Sequence, residues 1–179
     1  MFIGSEMFYN LRVNKPSGDL TLNNPVRVQN NVDFLSGHVF TSAANLLTIV
    51  SGATATNMNN ASYVNGPVER LGSATLLTFP VGKLGHYRPI SLLDMAGTTS
   101  ATGFISEYFN SSTFADIGAA HQPVLDHVSD CEYWTMNRNG VGSPNARIQL
   151  TWEDPVSCGV TEVETLLTAY WDEVGGQDG

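Results

Sequence analysis

Short apolar–x–apolar triplets, separated by Gly, Asn and Pro, recur through the first half of the chain: Leu11-Arg12-Val13, Leu20-Thr21-Leu22, Val26-Arg27-Val28, Leu47-Thr48-Ile49 and Ala53-Thr54-Ala55. Each is a minimal strand of period two. An offset of 27 aligns several of them. Leu20/Leu22 fall on Leu47/Ile49 and then on Ala74/Leu76, Val26/Val28 on Ala53/Ala55, and Leu11/Val13 on His38/Phe40. A repeat of about 20 to 30 residues with very short strands is the pattern of a stacked β-coil. One such coil cannot bury its apolar row alone and must stack on a neighbour. About three coils fit before Thr78. Leu20/Leu22 and Leu47/Ile49 are then expected on successive coils of one sheet, about 4.8 Å apart. A meander of hairpins with chance spacing is the competing reading.

Longer strands are expected in the second half, over residues 87–93, 103–109, 131–136, 147–152 and 166–171. In 147–152, Ile148, Leu150 and Trp152 alternate with polar residues, which predicts one buried face with Trp152 in the core. Turns separate the strands at Asn139-Gly140, at Gly142-Ser143-Pro144-Asn145 and at Asp154-Pro155. Strands at this spacing suggest a β-sandwich. Helical residues cluster only in 160–167, and 111–121 has room for one short helical turn. The expected fold class is therefore all-β: a short right-handed parallel β-helix-like region over 1–82, then an antiparallel immunoglobulin-like β-sandwich over 83–179, with about five clear strands against about seven in a complete one. The join near Phe79-Pro80-Val81-Gly82-Lys83-Leu84-Gly85 is too tight for a flexible linker.

Charge is unevenly placed in a chain of net −9. Up to Ser106 there are five acids against six bases; beyond it, twelve acids against Arg138 and Arg147. No stretch is basic enough to track a phosphate backbone, which argues against nucleic acid. No apolar run approaches the ~18 residues of a membrane span, and the first residues lack a signal-peptide pattern. Cys131 and Cys158 match no zinc spacing. They either pair in an oxidising compartment or stay as free thiols.

The ionisable residues make no recognisable catalytic pattern. His38, His86, His121 and His127 show no H-E-x-x-H spacing, and there is no G-x-S-x-G elbow. His121 and His127 with Asp126 and Asp130 are a weak metal set. Asp126, Asp130, Glu132, Glu153 and Asp154 are candidate calcium ligands, but without a D-x-D-x-D-G run. Asp19, Asp33 and Glu69 are the acids that could face a sugar groove on the coils. Trp134, Trp152 and Trp171 each fall in an expected strand, where an exposed ring would stack on a sugar and a buried one fill a core. The site assignment is accordingly none: no catalytic, cofactor-binding or metal residue, and no cofactor beyond a possible calcium.

Two series of short motifs occur in order. Val64-Asn65-Gly66-Pro67-Val68 is followed by Thr78-Phe79-Pro80-Val81-Gly82 and Tyr87-Arg88-Pro89; then come Glu132-Tyr133-Trp134, Gln149-Leu150-Thr151-Trp152 and Ala169-Tyr170-Trp171-Asp172. The series resembles a module of very large surface proteins of gliding and other Bacteroidetes bacteria, typically exported by the type IX secretion system. In that family the first motifs close a β-helix-like array and open a sandwich, and a further Trp-bearing strand usually follows the last one. The resemblance implies a non-enzymatic structural or adhesive module at the bacterial cell surface. Its implied partners are other domains of a longer polypeptide, secretion or surface machinery, and surface glycans. A carbohydrate-binding or carbohydrate-active module is the alternative.

Overall fold

A triplet with two inward apolar residues gains little from burial until a second strand covers it. The computed structural model, which describes residues 5–112, 129–142, 144–158, 160, 162, 164 and 166–168, shows how this chain covers each one. The named elements are all strands. β1 (Glu6–Asn14), β3 (Val26–Ser36), β5 (Leu47–Ile49), β6 (Thr54–Thr56) and β8 (Val68–Leu71) form parallel ladders within one sheet. β2 (Leu20–Thr21), β4 (Val39–Phe40) and β7 (Val64–Asn65) form a separate parallel sheet. The first ladder stacks Val26 on Leu47 on Val68, and Val28 on Ile49 on Arg70, a repeat of 21 residues at each step. A second stacks Leu11 on Val32 on Ala55, and a third stacks Leu20 on Val39 on Val64. The result is a β-solenoid-like stack of about three turns. Val26, Val28, Val32, Phe34, Val39, Leu47, Ile49, Val64 and Val68 are its buried interior. Each fully buried Val, Leu or Ile contributes about 1.5–3 kcal/mol.

The register differs from the 27-residue offset. Leu20 and Leu47 lie on different sheets, so the expected stacking of Leu20/Leu22 on Leu47/Ile49 does not occur. The reason lies in the third rung. The strand equivalent to Val26/Val28 and Leu47/Ile49 is Val68/Arg70, whose second inward residue is charged. An aliphatic pattern passes over that rung and finds a false partner at Ala74/Leu76.

The end of the stack is antiparallel. β13 (Thr102–Phe109) pairs with β8, setting Phe104 against Arg70, and β14 (Tyr133–Gly140) lies beyond it in the same sheet. β9 (Leu76–Phe79), β12 (Ile90–Ala96) and β15 (Asn145–Leu150) form a three-stranded antiparallel sheet with β12 central. That sheet draws β9 from one side of residue 82 and the other two strands from beyond it. A two-stranded piece, β10 (Gly82–Lys83) with β11 (His86–Tyr87), completes the elements. The strand expected over 87–93 is thus split by Arg88-Pro89, where proline withholds a ladder donor. Residues 166–168 are not strand, and 169–171 lie outside the described residues. Most of 111–121 also lies outside them.

The chain forms two compact units. One comprises 1–108 and 134–151 and holds the solenoid and its antiparallel end; the other comprises 109–133 and 152–179. In the second unit Cys131 and Cys158 are joined as a disulfide with Cα atoms 5.7 Å apart, within the usual span. Rings of Phe109 and Tyr133 stack there at 4.7 Å, nearly parallel.

Candidate functional site

The motifs at residues 64–68, 78–82 and 87–89 prove to be architectural residues of the first unit, as do Trp134 and Thr151 of the later motifs, and several of them meet at one side chain. In Val64-Asn65-Gly66-Pro67-Val68, Gly66 takes φ 126°, and a Cβ there would sit 2.6 Å from the Thr41 carbonyl oxygen. Only glycine fits that turn between β7 and β8. Thr41 Oγ1 also donates to the Pro67 carbonyl at 2.7 Å, tying the turn to the coil before it. In Phe79-Pro80-Val81-Gly82, Phe79 and Val81 are fully buried, and Val81 adds a parallel bridge to Val64. Tyr87-Arg88-Pro89 then brings in Arg88, the largest fully buried side chain among the described residues.

Arg88 gathers the later motifs. Its Nη2 donates to the Thr151 carbonyl at 2.8 Å. Its guanidinium carbon lies 5.7 Å from the centre of the Trp134 ring, and Trp134 Nε1 donates to the Arg88 carbonyl at 2.8 Å. Thr151 Oγ1 donates to the Pro89 carbonyl. Tyr108 also packs against the Trp134 ring, tilted to it, with centroids 5.3 Å apart. A buried cation is tolerable only with polar partners and a polarisable face, and this arrangement supplies both. Positions 88, 134 and 151, remote in sequence, are thus bound as one group. Trp134 is half-buried here, as a structural ring.

The candidate carboxylates for a sugar groove are engaged along the coils instead. Asp33 accepts from Arg12 Nε at 2.9 Å on one side and from Asn57 Nδ2 at 2.7 Å on the other, making a row across successive coils. The Asn57 hydrogen bond, with the Arg12 charge beside it, holds the Asp33 carboxyl below its ordinary range. Asp19 accepts from the His38 backbone N–H at 2.8 Å and faces His38 Nδ1 at 2.9 Å; the backbone bond is the main cause of its lowered pKa. Glu69 is buried and accepts from Thr48 Oγ1 at 2.8 Å and from Asn139 Nδ2 at 2.6 Å. These three acids lie in three different rows, and the structure does not bring them together. The parallel offsets put Asp33 against Arg12 and Asp19 against His38. Neither pairing is visible to a reading that lacks the register.

No known protein family matches this chain, and no curated protein or solved structure is similar to it.

The remaining candidates separate as follows. His86 lies in β11 and pairs in register with Lys83. Asp126, His121 and His127 lie outside the described residues, as does Trp171. Asp130 is exposed beside the disulfide, whose sulfurs are bonded to each other and are not thiolate ligands. Glu132 is buried and accepts the Ser157 hydroxyl; the same hydroxyl accepts the Glu153 N–H. Asp154 is exposed at the start of a turn.

Trp152 departs from the core position expected for it: it is 44% exposed. β15 ends at Leu150 and has only β12 beside it among the described residues, so the alternation stops before Trp152. Ile148 on the same strand is also exposed. One cleft of about 440 Å³ opens in the first unit between the loop at Thr41, Ser42 and Ala43 and the strand residues Ile105, Glu107, Thr135 and Asn137. Its lining mixes hydroxyl, amide and carboxylate side chains with Leu46, Pro67 and Ile105, and none of these lining residues is aromatic. Glu107 is bound there to Lys83 at 2.8 Å.

Proposed function

We propose that this chain is a non-enzymatic structural or adhesive module of a large secreted or cell-surface bacterial protein. The observation that carries the reading is the use of polar side chains. Asp33, Asp19 and Glu69 bind neighbouring coils and do not converge on a cleft. A stack that spends its carboxylates on holding coils together is suited to spacing or presenting other domains. The Cys131–Cys158 disulfide supports an oxidising, extracytoplasmic setting. In this reading the chain belongs with the type IX-exported Bacteroidetes surface proteins that its motif series resembles. Its coils wind right-handed, the hand that parallel crossovers take. Its antiparallel strands open an immunoglobulin-like sandwich.

A second reading, carbohydrate binding, is favoured by the exposed Trp152. Exposed rings stack on sugar faces. One experiment separates the two. The full chain is titrated with xylan, alginate and chitooligosaccharides while tryptophan fluorescence and reducing-end release are followed. The structural reading expects a flat response in both. Saturable quenching that Trp152→Ala abolishes would replace it with a glycan-binding module. Reducing-end release would replace it with an enzyme.

A further inference from the structure

We propose that β1 is the docking edge for one more solenoid coil: a strand parallel to β1 that sets aliphatic side chains opposite Phe8 and Leu11 and a carboxylate or amide opposite Arg12. This deepens the reading of the chain as a structural module and rests on it. The partner is polypeptide of coil chemistry outside the described residues.

The case begins with unequal ends. At the far end the stack is closed by antiparallel strands, since β13 pairs with β8 and β14 follows. At the near end β1 has β3 on one side and, among the described residues, no strand on the other. Free edges are normally blunted by Lys, Pro, short length or a covering element. β1 is nine residues long with no Lys or Pro within it. It exposes Met7 (59%), Phe8 (37%) and Tyr9 (67%). Solenoids need polar terminal caps to stay soluble, and β1 is not one.

The interface already built between coils defines what would fit. Phe8 stacks on Val28, and Leu11 on Val32. Val28 and Val32 are fully buried because a coil lies on each side of them; Phe8 and Leu11 have a coil on one side and stay partly exposed. A coil laid on β1 would do for Phe8 and Leu11 what β1 does for Val28 and Val32. On the outward face, Asp33 is held between Arg12 and Asn57. Arg12 has Asp33 on one side, while its side chain is 70% exposed. An acid or amide on the next rung would continue the row.

A second copy of this chain fits less well. Two β1 edges related by a two-fold axis pair antiparallel. The register that sets inward residues opposite inward residues along the strand places Phe8 opposite Leu11. It then places Met7 opposite Arg12 and Glu6 opposite Val13, so both charges meet apolar side chains. A parallel coil carries no such conflict.

The test uses the full chain and a fluorescein-labelled peptide with the sequence of residues 24–37, which can present Val28, Val32 and Asp33 to Phe8, Leu11 and Arg12. The proposal expects a saturable anisotropy increase and amide exchange in β1 slowed by about tenfold or more. It expects binding to weaken several-fold when the peptide carries Asp33→Lys, a change that leaves the protein itself untouched. Absent binding, or equal binding by the Asp33→Lys and scrambled peptides, overturns it. A dimer of the chain alone that Tyr9→Lys dissociates also overturns it and gives the edge to a second copy. None of these readouts depends on glycan, so failure here is distinct from failure of the structural reading, which the fluorescence and reducing-end assays report.

Discussion

Leu47→Ala is the sharpest test of the coil register. Leu47 is fully buried and lies between Val26 and Val68 on adjacent rungs. The substitution removes three carbons from the interior, about 2.4 kcal/mol at ~0.8 kcal/mol per methylene. Both neighbouring rungs are held by continuous parallel ladders and close in poorly, so a residual cavity adds about 1–2 kcal/mol. The expected loss is about 3–4 kcal/mol, a large share of the ~5–15 kcal/mol that holds a domain folded. Urea unfolding followed by intrinsic fluorescence measures it, with an unchanged m-value marking a purely native-state effect. A double mutant locates the neighbour. Leu47→Ala with Val68→Ala is expected to be non-additive, because the two are register partners on adjacent rungs and their side chains share one cavity. Strict additivity for this pair would refute the 21-residue register. A loss under about 1 kcal/mol would refute the stacked interior itself.

Asp33 has its pKa lowered by Asn57 and Arg12, so its stabilisation is present above the ordinary carboxylate range and is lost as pH falls through the depressed value. Asp33→Asn is therefore expected to flatten the acid side of a stability–pH profile measured by urea unfolding between about pH 5 and about pH 2. Reducing the Cys131–Cys158 bond, which spans 27 residues, is expected to destabilise the second unit by about 3.5 kcal/mol, read as a lower Tm with dithiothreitol that a Cys131→Ser/Cys158→Ser variant no longer shows. Trp134→Ala is expected to cost about 3–5 kcal/mol, since it strips Arg88 of its ring and of the indole hydrogen bond, whereas Trp152→Ala stays within about 1 kcal/mol; equal losses in thermal unfolding would contradict the exposure of Trp152.

The coil architecture is legible in the sequence because Leu20-Thr21-Leu22, Val26-Arg27-Val28 and Leu47-Thr48-Ile49 each carry the two-residue period of a strand. Their partners are less legible. Triplets on different sheets look alike, and only backbone register distinguishes them. The equivalence of Val28, Ile49 and Arg70 was hidden by an arginine in an interior row, where hydropathy reads it as surface. Trp152 misleads in the opposite sense: two alternating apolar residues precede it, but the strand has already ended. Among the candidate site residues, the spacing of Asp19 and His38, or of Arg12 and Asp33, means nothing until the coil length is known. Tyr87-Arg88-Pro89 stands out as a motif, but its role depends on Trp134 and Thr151, which come from much later in the chain.

Arg70 sets a limit on how such a chain can lengthen. It is buried, and its two terminal nitrogens donate to the Thr78 and Ala53 carbonyls at 2.7 and 2.8 Å, which fills the interior position where the next aliphatic rung would stack. A tandem duplication of 21 residues between Val26 and Leu47 would add a rung of ordinary valines and leucines and leave that end untouched. The same duplication carrying Arg70 would bury a second guanidinium with no second pair of carbonyls to receive it. Growth by repeat duplication is therefore one-sided, open on the β1 side of Arg70 and barred beyond it.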